Sequence, residues 1–132
     1  MANPEHLDLL QHGIDTWNSW RKEHQDTQPD LSEADLSYTD LSYADLHGAD
    51  LSYANLSHAN LRNIDLQSAV LSGVILHGAD LSYANLSNTD LELADLSNSD
   101  LSYTNLRFAD LSWAILYGAD FEGADDRDTE SH

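Results

Sequence analysis

The chain has no cysteine, which excludes disulfides and thiolate metal sites and leaves the redox compartment open. Basic residues are scarce: five Lys and Arg stand against 24 Asp and Glu, a formal charge of −19. That imbalance repels nucleic acid and anionic membrane surfaces and favours a basic protein partner. No segment approaches the ~18 consecutive apolar residues that a membrane span needs. The start, MANPEHLDLLQHG, lacks the basic residues and apolar run of a secretory signal, so a cytoplasmic location is expected. GxSxG, P-loop, GxGxxG and HExxH motifs are all missing, and no catalytic or cofactor-binding residue is expected.

What is present is repetition. In YADLHGADLSYANLSHANL, Tyr43 to Leu61, leucine recurs at 46, 51, 56 and 61. Period five fits neither an α-helix nor a flat strand. The register runs from Leu31 to Leu116 and ends at Phe121, which makes 19 units without an insertion. The residue before each centre is Asp in twelve units and Asn in four, with Val70, Ile75 and Ile115 as exceptions. Two before the centre stands a small or β-branched residue, usually Ala. Ser mostly follows the centre, and the fifth position varies.

Two inward positions separated by a polar one describe a short extended segment. Asp and Asn suit a corner between segments, because their side chains bond nearby backbone amides. Segment and corner in alternation wind into a coil with leucine at its axis. The period alone allows three-sided, four-sided or irregular coils.

The A(D/N)LxX consensus resembles the pentapeptide-repeat family over residues 30 to about 125. The resemblance implies an all-β solenoid: a right-handed quadrilateral parallel β-helix of about 4.75 coils, roughly 23 Å long at the inter-strand spacing. Leu46, Leu66, Leu86 and Leu106 then line the core, which Phe121 closes. Leu76→Ala should cost ~2–5 kcal/mol.

A solenoid needs its ends covered. Residues 1–28 read as an α-helical cap and linker, 29–125 as the β-helix and 126–132 as an acidic tail. Asn3 suits an N-cap, Pro4 a first helical turn and Glu5 the positive end of the dipole. Leu7, Leu10, Ile14 and Trp17 give one apolar face, and Arg21 and Lys22 fit the last turn. A single helix over 4–24 is expected, although Gly13 in its middle costs ~1 kcal/mol. Trp17 and Trp20 are expected to pack on the first coil. After Phe121 the polar EGADDRDTESH either shields the last coil by charge or permits an end-to-end homodimer.

With four units per coil, residues 20 apart stack in columns. Asp40, Asn60, Asp80, Asp100 and Asp120 share one face; Tyr43, Asn63, Tyr83 and Tyr103 form an aromatic-rich ladder, either packing across strands or recognising a partner. Solvated convex carboxylates lack the cleft that acid–base chemistry needs. His58 and His77 lie one coil apart, an exposed pair that makes a poor metal site. Val70 and Ile75 replace two successive corner acids, and Ile115 lies above Ile75 with Trp113 and Tyr117 nearby. They form an apolar interaction patch or mark drift. The expected function is a non-enzymatic, rigid acidic rod for protein–protein interaction. The family resemblance adds an alternative: some acidic members mimic duplex DNA and bind DNA gyrase, protecting it from quinolones.

Overall fold

The computed structural model describes residues 1–131. The Asp or Asn position of each unit pairs in parallel with the residue 20 further on, from Asp30↔Asp50 to Asp110↔Glu130. Four units therefore complete one circuit, and the coil is four-sided. Five circuits separate Asp30 from Glu130, roughly 24 Å at the inter-strand spacing.

Three backbone bonds recur on each side. Leu31 N–H donates to the Asp50 carbonyl at 2.8 Å, Glu33 N–H to Ser52 at 2.9 Å, and Asp50 N–H to Pro29 at 2.8 Å. Each coil is thus tied to the next by its main chain, whatever its side chains are.

The corner is Leu–Ser–X–Ala. Ala44 N–H, for example, donates back to the Leu41 carbonyl at 3.1 Å. The third residue has positive φ at every corner from Glu33 to Asp128, fifteen times in a non-glycine residue and five times in glycine. Only the third residue of a type II turn needs that conformation. The fifth position of the repeat is therefore not free. It is the left-handed site, and L-residues pay for it at ~1–2 kcal/mol each. The ladder bonds on either side hold them there.

Asp or Asn stands at the entry to the corner rather than within it. Asp40 Oδ1 accepts the Ser42 N–H at 3.0 Å and the Ser42 hydroxyl at 2.7 Å. The same double bond recurs at Asp50/Ser52, Asp80/Ser82 and Asp100/Ser102. This explains both the acid and the serine that follows the leucine.

Leu46, Leu66, Leu86 and Leu106 are fully buried in register along the axis. Where Ala gives way to a hydroxyl residue, the hydroxyl is satisfied locally: Thr89 Oγ1 donates to the Leu86 carbonyl at 2.7 Å and Ser99 Oγ to Leu96 at 2.6 Å.

The cap is two helices rather than one, α1 (Pro4–Gln11) and α2 (Ile14–Glu23). Gly13, at φ 112°, breaks the continuous helix expected over 4–24. An L-residue rarely adopts that value, and the break lets α2 turn onto the coil. Asn3 caps α1 by accepting from Glu5 N–H at 2.9 Å. Leu10 and Trp17 are buried, while Leu7 and Ile14 are half-buried against the same core.

One boundary differs from the sequence reading. The ladder passes residue 125 and reaches Glu130, whose N–H donates to the Ala109 carbonyl at 2.9 Å. Asp126 stands where leucine belongs, so backbone pairing holds this unit without a buried leucine, helped by the Arg107–Asp128 bond at 3.3 Å. Phe121 is half-buried rather than enclosed. No described helix is long and apolar enough to cross a membrane.

Candidate interaction surface

The cap replaces a missing coil on part of the first edge. Asn3 N–H donates to the Asp30 carbonyl at 2.9 Å, and Trp17 Nε1–H to the Asp45 carbonyl at 2.7 Å. Asn18 bonds both Tyr43 and Asp45 main-chain groups at 3.1 and 2.8 Å. Arg21, in the last turn of α2 as the sequence suggests, is buried at 1% exposure. Its Nη1 donates to the Thr27 carbonyl at 2.9 Å and its Nη2 to His47 at 2.8 Å, with the Asp45 carboxylate 3.9 Å from Nε. A cleft of about 270 Å³ remains where the cap parts from the coil, between Leu10, Ile14, Leu36 and Leu41.

The last described coil has no such cover. Leu116, Ala119, Phe121 and Ala124 are half-buried, and the N–H groups of Leu116 and Phe121 have no partner among the described residues.

On the sides, the bridges put Asp40, Asn60, Asp80, Asp100 and Asp120 in one column. Each Asp of the column spends Oδ1 on the amide two residues on. The hydroxyl and amide of the following serine hold the carboxyls of Asp30, Asp35 and Asp40 below the usual carboxylate range. Arg127 bonds Asp125 at 2.8 and 2.7 Å and lowers its carboxyl to about 2.

Tyr83 and Tyr103 stack with centroids 5.1 Å apart and planes 12° from parallel. Tyr43 belongs to the same column but is separated from them by Asn63. Arg62 lies over Tyr83, 5.9 Å from the ring centroid, and reaches Asp80 at 3.8 Å. A second stack joins Tyr38 to His58 at 4.9 Å, and His58 meets His77 edge-on at 5.3 Å.

The apolar exceptions are only partly brought together. Ile75 and Ile115 share a column, with Asp95 between them. Val70 lies on the preceding face, beyond the Leu71–Val74 corner, and is half-buried. The larger exposed apolar grouping is Leu93, Trp113, Ile115 and Tyr117, toward the last coil. Leu93 was missed, because the fifth position reads as unrestricted and a single leucine there carries no periodic signal.

Among the described residues two groups bring three potential metal ligands within 4.8 Å of one another: Asp45, His47 and Asp65, and Asp90, Glu92 and Asp110. In the first, Arg21 already supplies a cation beside Asp45.

No curated protein sequence matches the chain. Among solved structures it is similar to the pentapeptide repeat protein Rfr23 of the cyanobacterium Cyanothece 51142, with 25% identity and a TM-score of 0.62 over 87% of this chain and 97% of that one. It is also similar to a pentapeptide repeat protein of the Arabidopsis thaliana thylakoid lumen, with 31% identity and a TM-score of 0.48 over 75% of this chain and 66% of that one. QnrB1, a plasmid-mediated fluoroquinolone resistance protein, shares 22% identity with a TM-score of 0.49 over 76% of this chain and 68% of that one. Eight copies of the family's repeat match residues 30–67, 59–98 and 94–125. With every corner, column and buried leucine following that repeat, the chain belongs to the pentapeptide repeats family.

Proposed function

We propose that this protein is a non-enzymatic binding module whose acidic sides receive a basic protein partner. The observation that carries the proposal is the column of Asp40, Asp80, Asp100 and Asp120, fixed at intervals of one or two coils on a main chain that cannot rearrange without breaking its ladder. A stiff array of carboxylates loses little entropy when it is matched by cations. The test is solution binding of the whole chain to a basic peptide as salt is raised. Affinity should fall steeply with salt, and Asp80→Asn with Asp100→Asn should weaken it. Affinity independent of salt and of both substitutions would reject the reading.

One quantity favours a second reading, mimicry of duplex DNA toward a topoisomerase such as gyrase. Between residues 30 and 130, nineteen acidic and three basic residues leave a charge of −16. Along a rod of roughly 24 Å this is one charge per ~1.5 Å, close to the ~1.7 Å of B-DNA. Inhibition of gyrase supercoiling at about micromolar protein, lost when Asp80, Asp100 and Asp120 become Asn, is the expected result; unaltered supercoiling removes this reading.

A further inference from the structure

We infer that Asp100, Tyr103 and Asp120 form a recognition site for an arginine guanidinium of a basic partner; the inference rests on the acidic-module reading above. Among the described residues this chemistry is already occupied twice, by Arg107, which lies 5.1 Å from the Phe108 ring centroid and bonds Asp128 at 3.3 Å, and by Arg62. Arg62 projects from one coil onto the next, where its guanidinium covers the Tyr83 ring and approaches Asp80. Tyr83 presents that face because the preceding rung of its column is Asn63, not a ring. Its other face lies against Tyr103.

The two-ring stack is therefore closed at one end by a cation from this chain. At the other end the next rung is Gly123. A Cβ there would stand 2.5 Å from Tyr103 Cδ1, so the ring lies over the glycine and takes the space a side chain would fill, and no third ring or arginine continues the column. Tyr103 is half exposed. The residue one coil on from Arg62 is Ser82, which is buried and bonded to Asp80, and no cation among the described residues pairs with Asp100 or Asp120. Both carboxylates use Oδ1 for their own corner, in Asp100 for the Ser102 N–H at 2.9 Å and in Asp120 for the Glu122 N–H at 2.9 Å. Asp100 and Asp120 continue the column of Asp80, and Asp100 precedes Tyr103 by the same three residues that separate Asp80 from Tyr83.

A planar cation fits this arrangement better than a compact one. Guanidinium can stack on the ring while its edge donates to a carboxylate, whereas ammonium is held by charge alone and stays strongly hydrated. The site thus adds a preference for arginine over lysine to an otherwise general attraction for basic chains.

The test measures fluorescence anisotropy of two labelled peptides, four Arg-Gly-Ser repeats and four Lys-Gly-Ser repeats, against the full chain at about 0.1 M salt. The arginine peptide should bind about two- to fivefold tighter. Tyr103→Ser and Asp120→Asn should each remove that preference, and Asp120→Asn keeps the corner bond because Asn55 and Asn60 hold the same corner elsewhere. Asp95→Asn, an equal charge change on another face, should leave the preference intact. Equal binding of both peptides, graded only by total charge, overturns the arginine site and leaves the acidic module standing. Binding of neither peptide overturns both.

Discussion

At the N-terminal end Trp17 and Arg21 are almost inaccessible, and the first coil's main chain bonds to Asn3, Trp17, Asn18 and Arg21. At the last described coil Leu116 and Phe121 stay half-buried, and their N–H groups have no partner among the described residues. The repeat is the same at both places, so the difference is one of covering. The contrast shows what a coil gains from the layer above it: burial of its leucines and bonds for its edge. It also shows that a helical segment can supply both, provided its side chains reach the carbonyls that the missing coil would have bonded.

Replacing Trp17 by Ala should have the largest effect, because it removes a fully buried ring and the bond to Asp45 together. A loss of about 3–5 kcal/mol is expected in denaturant unfolding. A loss below about 1 kcal/mol would break the comparison by showing that the covered end is no firmer than the open one.

The leucines sharpen it. Leu76→Ala, in a coil covered on both sides, should cost about 2–5 kcal/mol, whereas Leu116→Ala should cost about 1 kcal/mol because that side chain is already partly in water. Equal costs in urea titration would mean that the last coil is as well packed as the middle.

Gly13→Ala tests the hinge of the cap. The space around Gly13 is open, so the penalty is backbone strain at φ 112° and ψ 163°, about 1–3 kcal/mol. Native-state hydrogen exchange should speed up at Asn18 and Asp45 while the middle coils remain unchanged.

Acid should produce the smallest change per residue, spread over both ends. The carboxyls of Asp30, Asp35 and Asp40 lie below their ordinary value in the folded state, and that of Asp125 falls to about 2. Their contribution is complete above the ordinary carboxylate value of about 4 and is lost as pH falls from there through the folded values. The melting temperature should decline across that window, and less steeply in Ser37→Ala and Ser42→Ala, which lose the hydroxyl bonds that lower Asp35 and Asp40.

Much of the architecture was legible in the chain itself. The uninterrupted leucine register marked the coil, and residues 20 apart shared columns once four sides were taken from the family resemblance. Asp40, Asp80, Asp100 and Asp120 were thereby placed on one face, and Tyr83 beside Tyr103. The apolar patch was legible only in part, since Val70 and Ile75 interrupt successive corners in sequence yet lie on different faces in space.

Sequence alone determined the period, the inward leucines and the outward charge, because one repeated pattern meets the same local environment at every turn. Only the tertiary structure decided that the fifth residue is left-handed, that Gly13 splits the cap, that Arg21 is buried and that residues 126–130 still follow the ladder. Those outcomes depend on backbone bonds to residues about 20 positions away or on the fit of a helix against a coil, and neither leaves a periodic mark in the chain.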